Sequence, residues 1–437
     1  MRIALLSYRS KPHVGGQGIY VRRLSRELVA LGHTVEVFSG QPYPELDPGV
    51  TLTKVPSLDL YAPGDEFRNP HPREFRDLID VQEWALMRSG AFPEPLTFSK
   101  RVVKLLAERV EDFDVVLDNQ TLTPPLLEIE ALGLPLAEII HHPITMDRAI
   151  ELRTAPWIRR KPRTRFHVEF PKPGVWRWYS FLRWQREAAP QVRHILVPSE
   201  SSARDVVREF GVDPARVTTV LLGVDDRFRP PTQPRVPGRI LAMASADAPL
   251  KGISVLLEAF AKLLTERELE LVLVTKPKEG GVTEKLIDRL GIADHVTFAS
   301  GLTDDELVDL MGSAELACVP SLYEGFSLPT AELMACETPL VVSRAGAIPE
   351  VVGPDGLAAD VVEPGDVGAL TEAVAALLDD PERRARMGAA GRLRVQELFS
   401  WAAAAEKTAD VLEKVIADYR VSRLAAARTS TTEENKC

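Results

Sequence analysis

At 437 residues the chain is longer than one hydrophobic core normally organises, so two domains are the expectation. Apolar residues make up 45% and charged residues 27%, an ordinary soluble balance, and the formal charge of −10 argues against a protein built mainly to hold nucleic acid. No stretch approaches the roughly 20 apolar residues of a membrane-spanning helix, and Cys318, Cys336 and Cys437 form no C-x-x-C pair, which fits a reducing compartment without structural disulfides.

The N-terminus, MRIALLSYRS, lacks the long apolar core of a secretory signal and reads as a first strand, so a cytoplasmic protein is expected. A loop, KPHVGGQG, follows RIALLSYR, and then Val21, Leu24, Leu28 and Leu31 recur at helical spacing, with Gly32 closing the helix. TVEVFSG is a second strand, which completes a right-handed βαβ unit. Further buried-type strands are expected at DVVLDN, AEIIHH and HILVPS. The proline-rich span from Gly223 to Arg239 reads as a linker. Beyond it ILAMAS, LELVLVT, HVTFAS, AELACVPS and PLVVS alternate with helical segments. The fold class is therefore α/β, with two doubly wound Rossmann-like domains, residues 1–222 and 223–401, facing a central cleft. A helix over about 402–420 is expected to pack back on the first domain, and 421–437, without an apolar pattern, to be a disordered tail.

In SLYEGFSLPTAELMA, Glu324 and Glu332 stand eight positions apart. ACVPS ends a strand, so Ser321–Leu328 is a loop at the carboxyl edge of the sheet, where open α/β folds bind ligands. Pro329 suits the first position of the helix that follows, whose free N–H groups favour a phosphate or a developing anion. Retaining glycosidases hold their two carboxylates about 5–5.5 Å apart and inverting ones about 6.5–9.5 Å apart, across one bond. A loop glutamate and a helix glutamate straddling a helix start instead suit the two ends of one long ligand, or two plain surface charges.

The run E-G-F-S-L-P-x-x-E resembles the E-x7-E motif of the family-4 retaining glycosyltransferases, which have the GT-B fold, and the resemblance extends from GGQG to FSWAAAAEK. It implies that Glu324 holds the donor sugar and Glu332 the ribose of the nucleotide. The backbone amides of Gly325, Phe326, Ser327 and Leu328 would face sugar and diphosphate. Gly15 and Gly16 would let the first loop approach the donor phosphates. His142, at the end of IIHH, matches a histidine beside the donor sugar, with His141 its less certain neighbour. Many relatives carry another histidine where this chain has Asp118 and Asn119. Lys251 would offset charge on the diphosphate leaving group. The arginine that usually precedes it by about six positions is Ser245 here, so one positive charge is absent from its expected place. Catalytic roles thus fall on His142, Glu324 and Lys251. Asp112-Phe113-Asp114 has a D-x-D form but reads as a turn before a strand, and the family implies no metal and no cofactor.

The implied reaction moves a hexose-type sugar, with retention, from a UDP- or GDP-linked donor to a hydroxyl of a small glycoside, a glycan or a lipid-linked acceptor. A sugar-nucleotide binder without turnover and a UDP-sugar epimerase of the same fold are the rival readings. Trp157, Trp176, Trp178 and Trp184 fall in a stretch rich in lysine and arginine. That suits either peripheral contact of 157–186 with the inner face of a membrane or an amphipathic helix packed under the cleft.

Overall fold

The computed structural model describes residues 1–11, 16–62, 64–154, 173–243 and 247–434. Two wholly parallel sheets organise it. The first comprises β1 (Arg2–Ser7), β2 (Thr34–Ser39), β3 (Thr51–Lys54), β4 (Val115–Asn119), β5 (Leu136–Ile139), β6 (His194–Val197) and β7 (Val217–Thr219), in the order β3-β2-β1-β4-β5-β6-β7. The second comprises β8 (Val236–Met243), β9 (Glu270–Val274), β10 (Val296–Ala299), β11 (Ala314–Val319), β12 (Leu340–Ser343) and β13 (Asp360–Val362), in the order β10-β9-β8-β11-β12-β13. The proline-rich linker is shorter than expected, because its last residues already pair in β8.

Strands buried on both faces explain the continuous apolar runs. In β1, Ile3 and Leu5 point into one core with Val35 and Val37, while Ala4 and Leu6 point into another with Phe38 and Val116. The second sheet divides likewise, with Leu241 and Val272 on one side and Ile240, Ala242 and Leu271 on the other. Cys318 and Cys336 are free and buried, and burial pushes both thiols up to about 12. They are fillers of the core rather than nucleophiles; Cys437 lies outside the described residues.

The helix Gly16–Ala30 ends as its sequence predicts. Gly32, at φ +86°, donates to Val29 O, and His33 donates to Leu28 O. The last helix begins at Trp401 and returns to the first domain, where the Trp401 ring meets Tyr20 edge-on and the Tyr419 hydroxyl donates to Glu130 O at 2.7 Å. It does not stop near residue 420. It runs to Glu434, so most of the expected tail is helical, although Val421 and Leu424 are exposed. Absence of an apolar stripe does not end a helix that is already nucleated, and L-A-A-A-R is a favourable continuation. Residues 435–437 lie outside the described chain.

No helix among the described residues is long and apolar enough to cross a membrane. In the tryptophan-rich stretch, residues 155–172 and with them Trp157 lie outside the description. Trp184 is buried and Trp178 packs on Phe92 at 4.9 Å, while Trp176 is exposed beside Arg148. At least two of these rings are used in packing.

Candidate active site

In the second sheet β8 and β11 are neighbours, and the chain moves outward from them in opposite directions. Their carboxyl ends therefore open the crevice in which such sheets bind ligands. After β8 the chain reaches the turn Pro249–Lys251, and after β11 the loop Pro320–Ser327. The two approach so closely that a Cβ on Gly252, at φ +63°, would lie 2.0 Å from Pro320 O. Leu322 N donates to Leu250 O across the join. Lys251 is thereby set beside the loop rather than opening a helix, which starts only at Ile253. Its Nζ lies 2.7 Å from Glu324 Oε1, and Ser321 Oγ donates to the same oxygen at 2.7 Å. A third loop fixes the Glu324 backbone: Ala347 N donates to Glu324 O at 2.9 Å.

Ser327 occupies the left-handed region at φ +81°, and its Oγ lies 2.7 Å from Thr330 Oγ1. This strained residue turns the chain into the helix Leu328–Ala335. Pro329 is its second residue, not its first, and Glu332 its fifth, one residue further in than the sequence suggested. The N–H groups of Gly325, Phe326, Ser327 and Leu328 meet no protein acceptor among the described residues. The Glu332 carboxyl also has no hydrogen-bond partner among them. Burial pushes it up to about 7; Arg227 opposes that shift and Asp225 adds to it.

The first domain contributes the two histidines beyond β5. Asn119, at the end of β4, accepts from His141 Nε2 at 2.8 Å. Gln120 holds the backbone from both sides, accepting from His141 N and donating to His142 O. Asp118 turns inward and accepts from Thr121 N and Leu122 N. The Asp118-Asn119 pair, where many relatives would have a histidine, thus shapes this turn and orients His141. Burial lowers the His141 imidazole to about 3, reinforced by His142, so it stays neutral. For His142 burial again opposes the charge, but Asp147, 2.9 Å from Nε2, outweighs it and raises the pKa. Adjacent imidazoles are thereby driven apart in proton affinity.

The two halves meet at Gly325. Its carbonyl accepts from Ser199 Oγ at 2.7 Å and Ser202 Oγ at 3.1 Å, and Ser202 also donates to His141 O. A Cβ on Gly325 would overlap His141 O at 2.3 Å and touch His142 Cβ at 2.9 Å. On either side of Glu324, then, residues 323 and 325 lie against His142; the Tyr323 ring is 5.7 Å away and its hydroxyl donates to Asp205 at 2.6 Å. Gly16 opens the first helix so near the second domain that a Cβ on it would lie 4.0 Å from Leu328 Cδ1. Glu350 accepts from Glu200 N at the start of the helix Glu200–Phe210 and pairs with Arg204, a clasp between domains.

His142, Lys251, Glu324 to Leu328, Glu332 and Gly16 thus border one cleft. Gly15 and Ser245 lie outside the described residues. Among the described residues no arginine pairs with Lys251, Glu324 or His142, and no group of three or more histidine, cysteine or acidic side chains is placed to hold a metal. Asp112 pairs with Arg109 and Asp114 with Arg2. Sequence reasoning missed Asp147, Asn119 as a support for His141, Ser199 and Ser202. Only Ser321, three residues before Glu324, was open to local inspection.

Two parallel-sheet domains whose carboxyl edges face each other, with a lysine–glutamate pair at the second switch point, define a GT-B glycosyltransferase. Comparison with known proteins agrees. Residues 14–228 match the model for glycosyltransferase family 4 and residues 224–394 that for glycosyl transferases group 1. An MMP alpha-(1->4)-mannosyltransferase of Mycolicibacterium hassiacum is 54% identical, over 95% of this chain and 99% of that one. The D-inositol 3-phosphate glycosyltransferase 2 of Catenulispora acidiphila is 30% identical, over 97% of both. The chain belongs to the family-4 glycosyltransferases. Among solved structures, sucrose-phosphate synthase from Thermosynechococcus elongatus matches with a TM-score of 0.70 at 21% identity, covering 95% of this chain and 99% of its own. Alr3699/HepE of Anabaena, in complex with UDP and glucose, matches at 0.65 and 15%, covering 94% and 99%. At those identities the structures share the fold and nothing finer.

Proposed function

We propose that this glycosyltransferase moves mannose, with retention and without a metal, from a nucleotide-diphosphate donor to a hydroxyl of an α-mannoside acceptor. The sugar and the α-(1→4) linkage are suggested by the mannosyltransferase with 54% identity over nearly the full length of both chains. One observation carries the chemistry. Lys251, Glu324 and four free amides converge at a helix start on one wall of the cleft, while His142 stands on the other.

In this reading Glu324 accepts hydrogen bonds from the donor sugar's hydroxyls, and Glu332 from the ribose. The bond from the anomeric carbon to the diphosphate oxygen breaks, and its electron pair leaves with the β-phosphate. Lys251 and the amides of Gly325 to Leu328 stabilise that charge, with Gly15 and Gly16 allowing close backbone approach. The acceptor hydroxyl forms the new bond on the face the diphosphate leaves, and a β-phosphate oxygen takes its proton. His142, whose protonated form Asp147 favours, orients the sugar hydroxyls. Positioning and leaving-group stabilisation then supply most of the barrier reduction. With Ser245 in place of an arginine, Lys251 carries the diphosphate charge with less help. Neither the epimerase nor the binder without turnover gains support from a specific feature of the site or from these relatives.

Thermal-shift measurements with UDP, GDP and ADP test the donor half. One nucleotide is expected to raise the midpoint in the wild type and much less in Glu332→Ala. Because Glu332 ionises near pH 7 and its carboxylate form is the better acceptor, the effect is expected to be larger at pH 8 than at pH 6. Equal shifts in wild type and variant would overturn the ribose assignment.

A further inference from the structure

One buried ion pair on the first domain's side of the cleft has no part in the scheme above. Arg9 follows β1 by two residues, on the carboxyl edge that also carries Asn119 and the two histidines. Its Nε lies 3.6 Å from Glu94 Oε2, a contact between charges but too long for a hydrogen bond. The Glu94 side chain is only 6% exposed, and both of those atoms are buried with no hydrogen-bond partner. Glu94 opens the helix Glu94–Ala107, whose dipole favours a carboxylate there. That explains an acidic residue at the position; it does not explain why its Oε2 is buried without a hydrogen-bond partner. Burying both charges in this way costs stability, and native proteins rarely leave such groups unsatisfied.

The surroundings suit a sugar. Tyr8, Tyr61 and Phe92 pack against one another, with ring centroids 6.2 Å apart for Tyr8–Phe92 and 5.4 Å for Tyr61–Phe92. Both tyrosine hydroxyls feel the Glu94 charge. Ser7, at the end of β1, accepts from Asn119 Nδ2, and the helix whose Gly16 approaches Leu328 follows, which places the pair beside the same cleft.

We propose that Arg9 and Glu94 are the acceptor-positioning residues of this enzyme, gripping adjacent hydroxyls of a pyranose. The carboxylate accepts from one hydroxyl and the guanidinium donates to the next, which fills the bonds now unmade. The proposal rests on the transferase reading and adds to it which residues hold the acceptor.

The test uses Glu94→Gln, which keeps the shape, and Arg9→Met, with α-(1→4)-linked mannotetraose as the probe and a nucleotide-mannose as donor. At pH 9, where the Glu94 carboxyl is ionised, each variant is expected to raise KM for the tetrasaccharide about tenfold or more, as losing a hydrogen bond to a charged group implies. The midpoint shift produced by the nucleotide is expected to stay as in wild type. Relieved of a buried carboxylate, Glu94→Gln is expected to melt no lower than wild type at pH 8, since burial pushes Glu94 up to about 8. An unchanged acceptor KM in Glu94→Gln would overturn the proposal. If the wild type transfers from no nucleotide-mannose, the function above fails separately. Saturation-transfer NMR of the same tetrasaccharide then decides: binding by wild type that is lost in Glu94→Gln supports the subsite, and binding by both or by neither overturns it.

Discussion

His141 and His142 are adjacent in sequence, yet the fold gives them opposite electrostatic tasks. His141 finds a neutral amide oxygen and stays uncharged, whereas His142 finds the Asp147 carboxylate. Removing that carboxylate leaves burial opposed only by the more weakly acting Glu324, which Lys251 counters, so in Asp147→Asn the His142 pKa is expected to fall below its ordinary 6.5, where wild type lies above it. The sign for stability follows. A histidine with a raised folded pKa contributes stability that is complete below 6.5 and is lost as pH rises through the raised value. Asp147→Asn should therefore cost more stability at pH 5.5 than at pH 8.5, by on the order of 1 kcal/mol, read from denaturant melts. Titration of the His142 ring by NMR reads the shift directly, and a pKa unmoved by the substitution would show that Asp147 does not set it.

At the level of elements, the site is made by loops held at glycines and by one strained serine. Gly346 has φ +56°, and a Cβ there would come within 2.1 Å of Glu324 O and 3.0 Å of Glu324 N. Gly356 has a similar φ of +76° with nothing within 4 Å. The pair separates strain from overlap. Gly356→Ala is expected to cost about 1 kcal/mol through φ alone. Gly346→Ala must also displace the backbone that carries Glu324, so a loss of transfer of roughly 100-fold is expected, with nucleotide affinity through Glu332 much less affected. Denaturant melts and single-substrate kinetics on the two variants check this, and equal activity in both would show that the Glu324 loop tolerates movement. The final helix teaches the complementary lesson. Its apolar side ends near Tyr419 but its hydrogen-bonded ladder does not, because backbone propensity rather than burial carries the last turns.

Across the whole molecule, what the sequence made legible follows how local its signal was. Strands such as β1 and β4 are short apolar runs buried on both faces, and they stood out as such. Lys251 and Glu324 are far apart in sequence, and only the motif suggested that they meet; the switch point between β8 and β11 is the physical reason they do. Asp147 beside His142, Asn119 beneath His141, and Ser199 and Ser202 on Gly325 depend on how separate elements pack, so no spacing announced them. The central claim is that these two walls together transfer a sugar with retention and without a metal. The most direct measurement is the anomeric configuration of the product formed from an α-linked nucleotide-mannose and a mannoside acceptor in EDTA, read by NMR. An α-linked product, absent with Glu324→Gln, is the predicted result; a β-linked product, or none until a divalent metal is restored, would contradict it.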